Sequence, residues 1–491
     1  MKLTDLLHPW VTVDAPECDI SGLQNDSRKV KPGYLFFAYP GVAADGRLFV
    51  DQAKQAGAAA IVYESENLPQ IGSFPADIPC VPVTELGKKL SAIASRFYDY
   101  PTRALSVTGV TGTNGKTTIA YQLAQAYGLL GEKAVYVGTL GQGDVRALQP
   151  LLNTTPDALC LQQLMYEYKH ANVRQLCMEV SSHALSQGRV DDIDFSGAIY
   201  TNLTHDHLDY HHTMQDYAAA KASLFGMSTL KWAIINCDDA YSEYMMQKLS
   251  PTCRRLTYGL QPGCDVQAVR WQTSMTGSEM EIASPWGHLQ IHVNLLGKFN
   301  IYNSLAVFAG LLAQDIPVRD VVEVMCKLQA SPGRMEVVAQ KPCVIVDYAH
   351  TPDALENVLI TLQTLKQGRL GVVFGCGGDR DKTKRPIMGH IASQYADFSI
   401  VTSDNPRTED PLQIVNEVAE GLLPEAQVLK IIDREEAIQC ALKMAEPQDI
   451  ILIAGKGHES YQQIGTKRFD FSDQDVVRKL LLDRASLKGR T

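Results

Sequence analysis

One run constrains this chain more than any other: Val107-Thr108-Gly109-Val110-Thr111-Gly112-Thr113-Asn114-Gly115-Lys116-Thr117-Thr118. An apolar strand, Leu105–Val110, breaks into glycines and then opens a helix from Thr117 to about Leu130, where Gly131 is a natural stop. Strand, glycine-rich turn and helix in that order belong to α/β architecture. Glycines let backbone N–H groups wrap a phosphate, and the helix N-terminus adds positive potential. Lys116 can reach outer phosphates, and the Thr117 hydroxyl can hold Mg²⁺. The loop is a variant, because Val110 stands where the usual pattern has its first glycine.

Around this run the pattern alternates strand and helix. Strands read at Ala134–Val137, Gln175–Val180 and Ala198–Thr201, and such alternation implies a mostly parallel sheet covered on both faces. With 491 residues the chain exceeds what one core usually serves, so two or three domains are expected. Before it, strands Tyr34–Tyr39 and Ala58–Tyr63 flank a helical stretch near Asp51–Gln55, and residues 98–102 read as a linker. Past Ser331-Pro332-Gly333, strands at Val344–Asp347, Leu370–Phe374, Ser399–Thr402 and Asp449–Ile453 form another α/β unit. The domains expected are 1–101, 102–331 and 332–491: an N-terminal α/β domain, a central P-loop domain with a mostly parallel sheet, and a C-terminal Rossmann-like α/β domain.

Acidic residues outnumber basic ones 55 to 45, which argues against nucleic acid or an anionic membrane as partner. No apolar run approaches membrane-spanning length, and the N-terminus carries no long apolar stretch. The 11 scattered cysteines form no C-x-x-C pair, which fits free thiols in a reducing cytoplasm better than a disulfide framework.

Other polar clusters fall near strand ends. Glu179 closes a strand just before Ser181-Ser182-His183, where a carboxylate suits Mg²⁺. The run Asn202-Leu203-Thr204-His205-Asp206-His207-Leu208-Asp209-Tyr210-His211-His212 admits two readings. His205, His207 and Asp209 begin the H-x-H-x-D-H pattern of binuclear metallohydrolases, but Tyr210 stands where the next histidine belongs. The other reading is a ligase signature. Thr155 reads as a helix N-cap with Pro156 at the first helical position. Lys221, in Tyr217–Phe225, reads on the residues alone as a solvated helix lysine.

Thr-Gly-Thr-Asn-Gly-Lys-Thr-Thr resembles the ATP loop of the Mur ligase family, to which folylpolyglutamate synthases also belong. Asn202, Asp206, His207 and Asp209 match that family's Asn-x-x-x-Asp-His-x-Asp signature. The resemblance implies ATP as co-substrate at Gly112, Thr113, Asn114, Gly115, Lys116, Thr117 and Thr118. It also implies two Mg²⁺ ions held by Thr117, Glu179, His207 and a carbamylated Lys221. Asn300 and Asn303, in Gly297–Asn303, match an adenine-side segment; Asp347 and His350 match a C-terminal nucleotide contact, and Arg334 an arginine for the transferring phosphoryl group. Asn25, Ser27, Val42, Ala43 and Ala44 match the site for the uridine nucleotide of the acceptor. Asn153, Thr154, Thr155, Ser181, Gln187 and Arg189 match contacts to its peptide.

The amino acid to be added is read from Asp404-Asn405-Pro406-Arg407, which resembles the diaminopimelate signature of one branch. Meso-diaminopimelate differs from lysine by a distal carboxylate, and a guanidinium grips a carboxylate at two points. Arg380 matches a second arginine, and Gly455 and Glu459 match contacts to the amino acid's distal end. Taken together, the resemblance implies a cytoplasmic, monomeric ligase joining diaminopimelate to a UDP-MurNAc-L-Ala-D-Glu acceptor. Lysine-adding, folylpolyglutamate-type and metallohydrolase readings stand as alternatives, and reactants drawn from three domains imply closure before chemistry.

Overall fold

The computed structural model describes residues 1–8, 10–11, 18–41, 44–69 and 74–488, with the backbone alone at 209 and 484–488. It divides into two compact units, residues 1–264 with 306–317, and residues 265–305 with 318–491.

The first unit holds two sheets. Strands β1 (Gly22–Gln24), β2 (Tyr34–Ala38), β3 (Ala60–Glu64) and β4 (Cys80–Val83) pair in that order, all parallel. The second sheet contains β5 (Ser106–Thr111), β6 (Ala134–Gly138), β7 (Gly141–Gly143), β8 (Gln175–Glu179), β9 (Phe195–Tyr200), β10 (Trp232–Asn236) and β11 (Arg254–Gly259). Its order is β11-β10-β9-β5-β8-β6-β7, parallel except for β7. Strand β5 is central and its neighbours arrive from opposite sides, which makes the carboxyl end of β5 a switch point where such sheets bind ligands.

Burial explains why these strands read as apolar runs without alternation. Val107, Leu176, Met178, Ala198 and Tyr200 are inaccessible to solvent, because helices cover both faces. The helix Lys116–Leu129 is buried on nearly every side. It ends at Gly131 in the left-handed region (φ 84°), with Glu132 N–H donating to Tyr127 O at 2.9 Å and Gly131 N–H to Gly128 O at 3.1 Å. That is the Schellman ending the glycine allows. The N-terminal sheet does not form a core wholly its own. Ala158 and Leu159, from the helix Ala158–His170, belong to the cluster that contains Leu35, Leu86 and Ile93. This shared packing explains why residues 1–101 fall in one compact unit with the phosphate loop.

The second unit contains an antiparallel meander, β12 (Val266–Ser274), β13 (Gly277–Ser284) and β14 (Gly287–Val293). It also contains a six-stranded sheet of β15 (Glu336–Gln340), β16 (Cys343–Asp347), β17 (Leu370–Phe374), β18 (Phe398–Val401), β19 (Val428–Lys430) and β20 (Ile450–Ala454). The order is β15-β16-β20-β17-β18-β19, parallel apart from β15. Two apolar clusters sandwich it, one around Ile345, Leu359 and Val372, the other around Val346, Ile438 and Ile451. A hairpin, β21 (Tyr461–Ile464) and β22 (Lys467–Asp470), comes after β20.

Two expectations need correction. The helix after Asn153 starts at Ala158, and its cap is Asp157, whose carboxylate accepts from Leu159 N–H at 3.0 Å and Cys160 N–H at 3.1 Å. Thr155 is instead buried, its hydroxyl donating to Glu179 O at 2.9 Å. A carboxylate two residues later can reach both free N–H groups, which the hydroxyl, turned inward, cannot. The thiols are not all free either: Cys237 and Cys264 form a disulfide. No described helix is long and apolar enough to cross a membrane.

Candidate active site

In the first unit the side chains assemble at the carboxyl ends of β5, β8 and β9. Gly112 has φ 151°, and a Cβ there would lie 1.8 Å from Thr201 Oγ1, so the loop needs glycine at this position. Val110, by contrast, is a buried β5 residue; the glycine that the usual loop carries there is not needed for this turn. Asn202 clamps the loop from the end of β9, its Oδ1 accepting from Asn114 N–H at 2.9 Å and its backbone O from Thr113 N–H at 2.8 Å. Thr201 Oγ1 donates to Asn114 O at 2.6 Å. Gly115 caps the helix that begins at Lys116, with φ 88°, and Thr118 is buried in its first turn.

Lys116 Nζ lies 2.8 Å from both Gly112 O and Thr113 O. Lys221 Nζ reaches the same Gly112 carbonyl at 2.8 Å. Lys221 is 1% exposed, so the solvated-lysine reading fails. Its Nζ lies 4.4 Å from the Tyr217 ring centroid. Burial pushes its pKa well below the usual lysine value, and Lys116 pushes the same way, against a smaller opposing effect of Asp206.

Glu179 ends β8, 1% exposed. Thr117 Oγ1 donates to its Oε2 at 3.0 Å, Thr139 N–H to Oε1 at 2.8 Å and Thr139 Oγ1 to Oε2 at 3.2 Å, and Tyr136 OH also donates to Oε1. Tyr136 and Thr139 do not stand out in the sequence; position on and just beyond the end of β6, next to β8, is the signal that finds them. Glu179 and Thr117 thus set hard oxygens side by side beside the phosphate loop, a donor pair suited to Mg²⁺. His207, at φ 55°, begins the short helix Leu208–His211 and lies 3.5 Å from Asp206 Oδ2 through Nε2. Tyr217 joins this group together. Its ring is 6.1 Å from His207 and stacks on His211 at 5.0 Å, and its hydroxyl lies 3.3 Å from Thr113 Oγ1. Among the described residues, no three histidines or carboxylates of the run 205–212 converge as metal ligands.

Next to Glu179, Thr139 Oγ1 and Thr154 Oγ1 are 3.1 Å apart, and Thr155 Oγ1 accepts from Ser181 N–H at 3.1 Å. Arg189 donates to Thr155 O at 2.8 Å and to Gln187 Oε1 at 2.9 Å. Asn153 is exposed nearby in sequence. In the N-terminal sheet a cavity of about 380 Å³ is lined by Asn25, Ser27, Tyr39, Ala44, Phe49 and Gln52, among others. Ser27 Oγ donates to Gln52 Oε1 at 2.8 Å, and Asn25 Nδ2 to Tyr39 OH at 3.1 Å. Val42 and Ala43 lie outside the described residues.

In the second unit, Asn303 Nδ2 donates to Asn300 Oδ1 at 2.9 Å on the helix Lys298–Leu312. Asp347 ends β16 buried, accepting from Met335 N–H and Ala349 N–H, each at 2.7 Å. Burial raises its pKa, against the opposing charge of Arg334. The Arg334 guanidinium stacks 4.5 Å over Tyr348, and His350 Nδ1 donates to Tyr348 O at 2.9 Å.

The Asp404–Arg407 loop comes after β18. Asp404, Asn405 and Pro406 are buried, and Arg407 sits at φ 51° with Nη1 donating to Gly378 O at 2.7 Å. Arg380 is exposed on the facing loop. Gly455 has φ 114°, and a Cβ there would meet Asp404 Oδ2 at 2.6 Å. Glu459 is not a lone carboxylate: Lys456, fully buried, pairs with its Oε2 at 3.0 Å, and Asn405 Nδ2 donates to the same oxygen at 2.8 Å. Lys456 escapes sequence reasoning because a lysine in Gly-Lys-Gly reads as a loop charge; only its burial marks it.

A fold of two mostly parallel sheets plus a third, with a glycine-rich phosphate loop opposing a buried carboxylate and a buried lysine, defines a nucleotide-dependent transferase or ligase. The comparisons narrow the class. Residues 19–98 match the Mur ligase family catalytic domain, 110–311 the Mur ligase middle domain and 333–457 the Mur ligase glutamate ligase domain. A UDP-N-acetylmuramoyl-L-alanyl-D-glutamate–2,6-diaminopimelate ligase of Chromobacterium violaceum is 43% identical, covering 94% of each chain. The enzyme of that name from Ectopseudomonas mendocina is 45% identical over 92% of this chain and 93% of its own. A solved structure of a ligase with the same name is 36% identical, with a TM-score of 0.70 and 99% of each chain covered. MurF ligase of Thermotoga maritima, solved with ADP, shares the fold at 18% identity and a TM-score of 0.63, over 96% of this chain and 98% of its own. The chain belongs to the Mur ligase family.

Proposed function

We propose that this chain joins meso-2,6-diaminopimelate to UDP-N-acetylmuramoyl-L-alanyl-D-glutamate at the expense of ATP, a step of peptidoglycan precursor synthesis. The observation that carries the reading is the convergence of Lys116, Thr117, Glu179 and the buried Lys221 on one phosphate loop.

The backbone N–H groups of Gly112 to Thr118 and the helix N-terminus hold the outer phosphates, and Lys116 leaves its carbonyls to pair with them. Thr117 and Glu179 would hold one Mg²⁺; His207 and Lys221, as its carbamate, would hold a second. When bound, such ions would neutralise charge on the transferring phosphoryl group. Asn300, Asn303, Asp347 and His350 contact the nucleoside, and Arg334 offsets phosphoryl charge. The uridine end of the acceptor occupies the cavity lined by Asn25, Ser27 and Ala44, with Val42 and Ala43 in the same loop. Asn153, Thr154, Thr155, Ser181, Gln187 and Arg189 orient the dipeptide. An oxygen of the D-glutamate γ-carboxylate attacks the γ-phosphorus as the bond to the ADP oxygen breaks, giving an acyl phosphate. The amine of diaminopimelate adds to that carbonyl carbon, and the tetrahedral adduct loses inorganic phosphate and a proton.

Arg380 and Arg407 receive the carboxylate that lysine lacks, with Asp404, Asn405, Pro406, Gly455 and Glu459 completing the pocket. The domains are assigned as 1–101, 102–331 and 332–491, and the enzyme acts as a cytoplasmic monomer on small molecules, with neither nucleic acid nor membrane as partner. The decisive experiment is phosphate release in the presence of ATP, Mg²⁺ and the UDP-dipeptide. Release with diaminopimelate and little with lysine is expected. Equal release with lysine would make it a lysine-adding relative, and no dependence on the UDP-dipeptide would remove the muramyl reading.

A further inference from the structure

The two arginines that read the amino acid stand on separate loops, Gly377–Lys382 after β17 and Asp404–Glu409 after β18. The loops are closely joined. Gly378 N–H donates to Asn405 O at 2.9 Å, and a Cβ on Gly378 would lie 1.9 Å from Pro406 O. Thr408 Oγ1 donates to Asp379 Oδ1 at 2.7 Å.

Beneath this seam lies Arg385, whose side chain is wholly buried in the first turn of the helix Lys384–Tyr395. Its guanidinium grips Glu409 at two points, Nη1 to Oε2 and Nη2 to Oε1, both 3.0 Å, and also donates to Gly377 O at 3.2 Å. Glu417, on the helix Pro411–Ala419, accepts from the same Nη1. Glu409 in turn accepts from Asp379 N–H at 2.6 Å and pairs with Lys382 at 3.0 Å. So one carboxylate, two residues after Arg407, holds the backbone one residue before Arg380.

We propose that Glu409 is a positioning residue for the amino-acid site: anchored by buried Arg385, it sets the spacing of the Arg380 and Arg407 loops and so the fit to a distal carboxylate. The inference rests on the diaminopimelate reading. Geometry makes the role specific. Glu409 and Glu417 both neutralise Arg385, yet only Glu409 also bonds the Arg380 loop. The pKa of Glu409, held down to about 2 chiefly by Arg385, agrees with a carboxylate that stays charged.

The test compares Glu409→Gln with Glu417→Gln in the full-length enzyme. Each removes one negative partner of Arg385, so both are expected to lower the melting temperature. In Glu409→Gln the KM for diaminopimelate is expected to rise on the order of ten-fold, the effect of losing a charge-assisted hydrogen bond, and the preference over lysine to fall. The kcat at saturating diaminopimelate and the KM for ATP stay near wild type. Glu417→Gln keeps the wild-type preference and KM. Equal changes in both variants, or an unchanged diaminopimelate KM in Glu409→Gln, would overturn the proposal. If Glu409→Gln does not fold, Thr408→Val breaks the same seam at an exposed position; a smaller rise in the same KM is expected, and none would count against the idea. Should the wild-type enzyme use lysine equally well, the diaminopimelate reading fails by itself, and the Glu409 effect is then read on the amino acid that the enzyme does use.

Discussion

The phosphate loop and the amino-acid pocket handle charge in opposite ways. At the loop, the Lys116 and Lys221 side chains converge on the carbonyl of Gly112, two lysine nitrogens at one backbone oxygen. At the pocket, cations meet carboxylates: Lys456 meets Glu459, Arg385 meets Glu409 and Glu417, and Arg434 meets Asp473 just behind. The first site presents Lys116 and the N–H groups of a glycine-rich turn at a helix start, and is matched to phosphate anions. The second is already neutralised and suits a zwitterion, whose ammonium and carboxylate groups each need an opposite partner. The contrast teaches that the two sites respond differently to loss of a charge: removal at the loop abolishes chemistry, whereas removal in the pocket alters selectivity or fold stability.

Lys116→Ala is expected to have the largest effect. Charge on the transferring phosphoryl group loses its preorganised partner, and turnover falls on the order of 10³-fold or more. Phosphate release with the UDP-dipeptide and diaminopimelate measures it; near-normal turnover would break the loop half of the comparison. Lys221 gives a spectroscopic companion. With ¹³C-bicarbonate the wild-type enzyme is expected to show a carbamate resonance that Lys221→Ala lacks, and the same spectrum from both would remove the carbamate.

Asp473→Asn comes next. Arg434 and Asp473 are wholly buried, with guanidinium-to-carboxylate contacts of 2.8 and 2.7 Å, and Arg434 also donates to Ala454 O at 3.0 Å beside Gly455. Removing one partner of a buried pair leaves an uncompensated charge and costs about 3–5 kcal/mol. Denaturant unfolding of the variant is the check; a change below the size of a surface ion pair would mean the pair contributes little to the fold. Arg407→Ala ranks third, with an expected loss of about 2–5 kcal/mol in discrimination of diaminopimelate from lysine. A retained preference in competition assays would shift specificity to Arg380 alone.

Much of the first site is legible in the sequence. The loop Gly112–Thr118, the strands and their parallel pairing, and Glu179 at a strand tip obey local rules, since each depends on residues adjacent in sequence. The apolar runs at Gln175–Glu179 and Ile450–Ala454 announce strands because both faces are covered. What local rules cannot reach is long-range. Lys221 reads as a surface lysine until a carbonyl more than a hundred residues earlier is seen to hold it. Lys456 and Arg385 look like loop and helix charges because charged residues are seldom buried without partners, and the carboxylates that bury them are fixed only by the packed loops. Tyr217 joins the histidines to the loop only once the helix Met214–Ala222 has packed. The same limit explains the misplaced cap, since Thr155 turns toward Glu179, a strand away.

That cap supplies the smallest and cleanest test of whether binding and folding roles separate within the first unit. Asp157 and Thr155 are two residues apart but serve different ends. The Asp157 carboxylate satisfies two N–H groups at the start of the helix Ala158–His170. Thr155 bridges Glu179 O and Ser181 N–H beside the proposed dipeptide site. Asp157→Ala is therefore expected to cost about 1 kcal/mol of stability, the usual value of an N-cap, with the KM for the UDP-dipeptide unchanged. Thr155→Val, which keeps the shape and removes the hydroxyl, is expected to raise that KM. Thermal melting and steady-state kinetics on the two variants decide it. If Asp157→Ala shifted the KM as much as Thr155→Val, the helix start itself would belong to the binding surface, and the phosphate-loop half of the molecule would be no more separable into fold and site than the amino-acid pocket is.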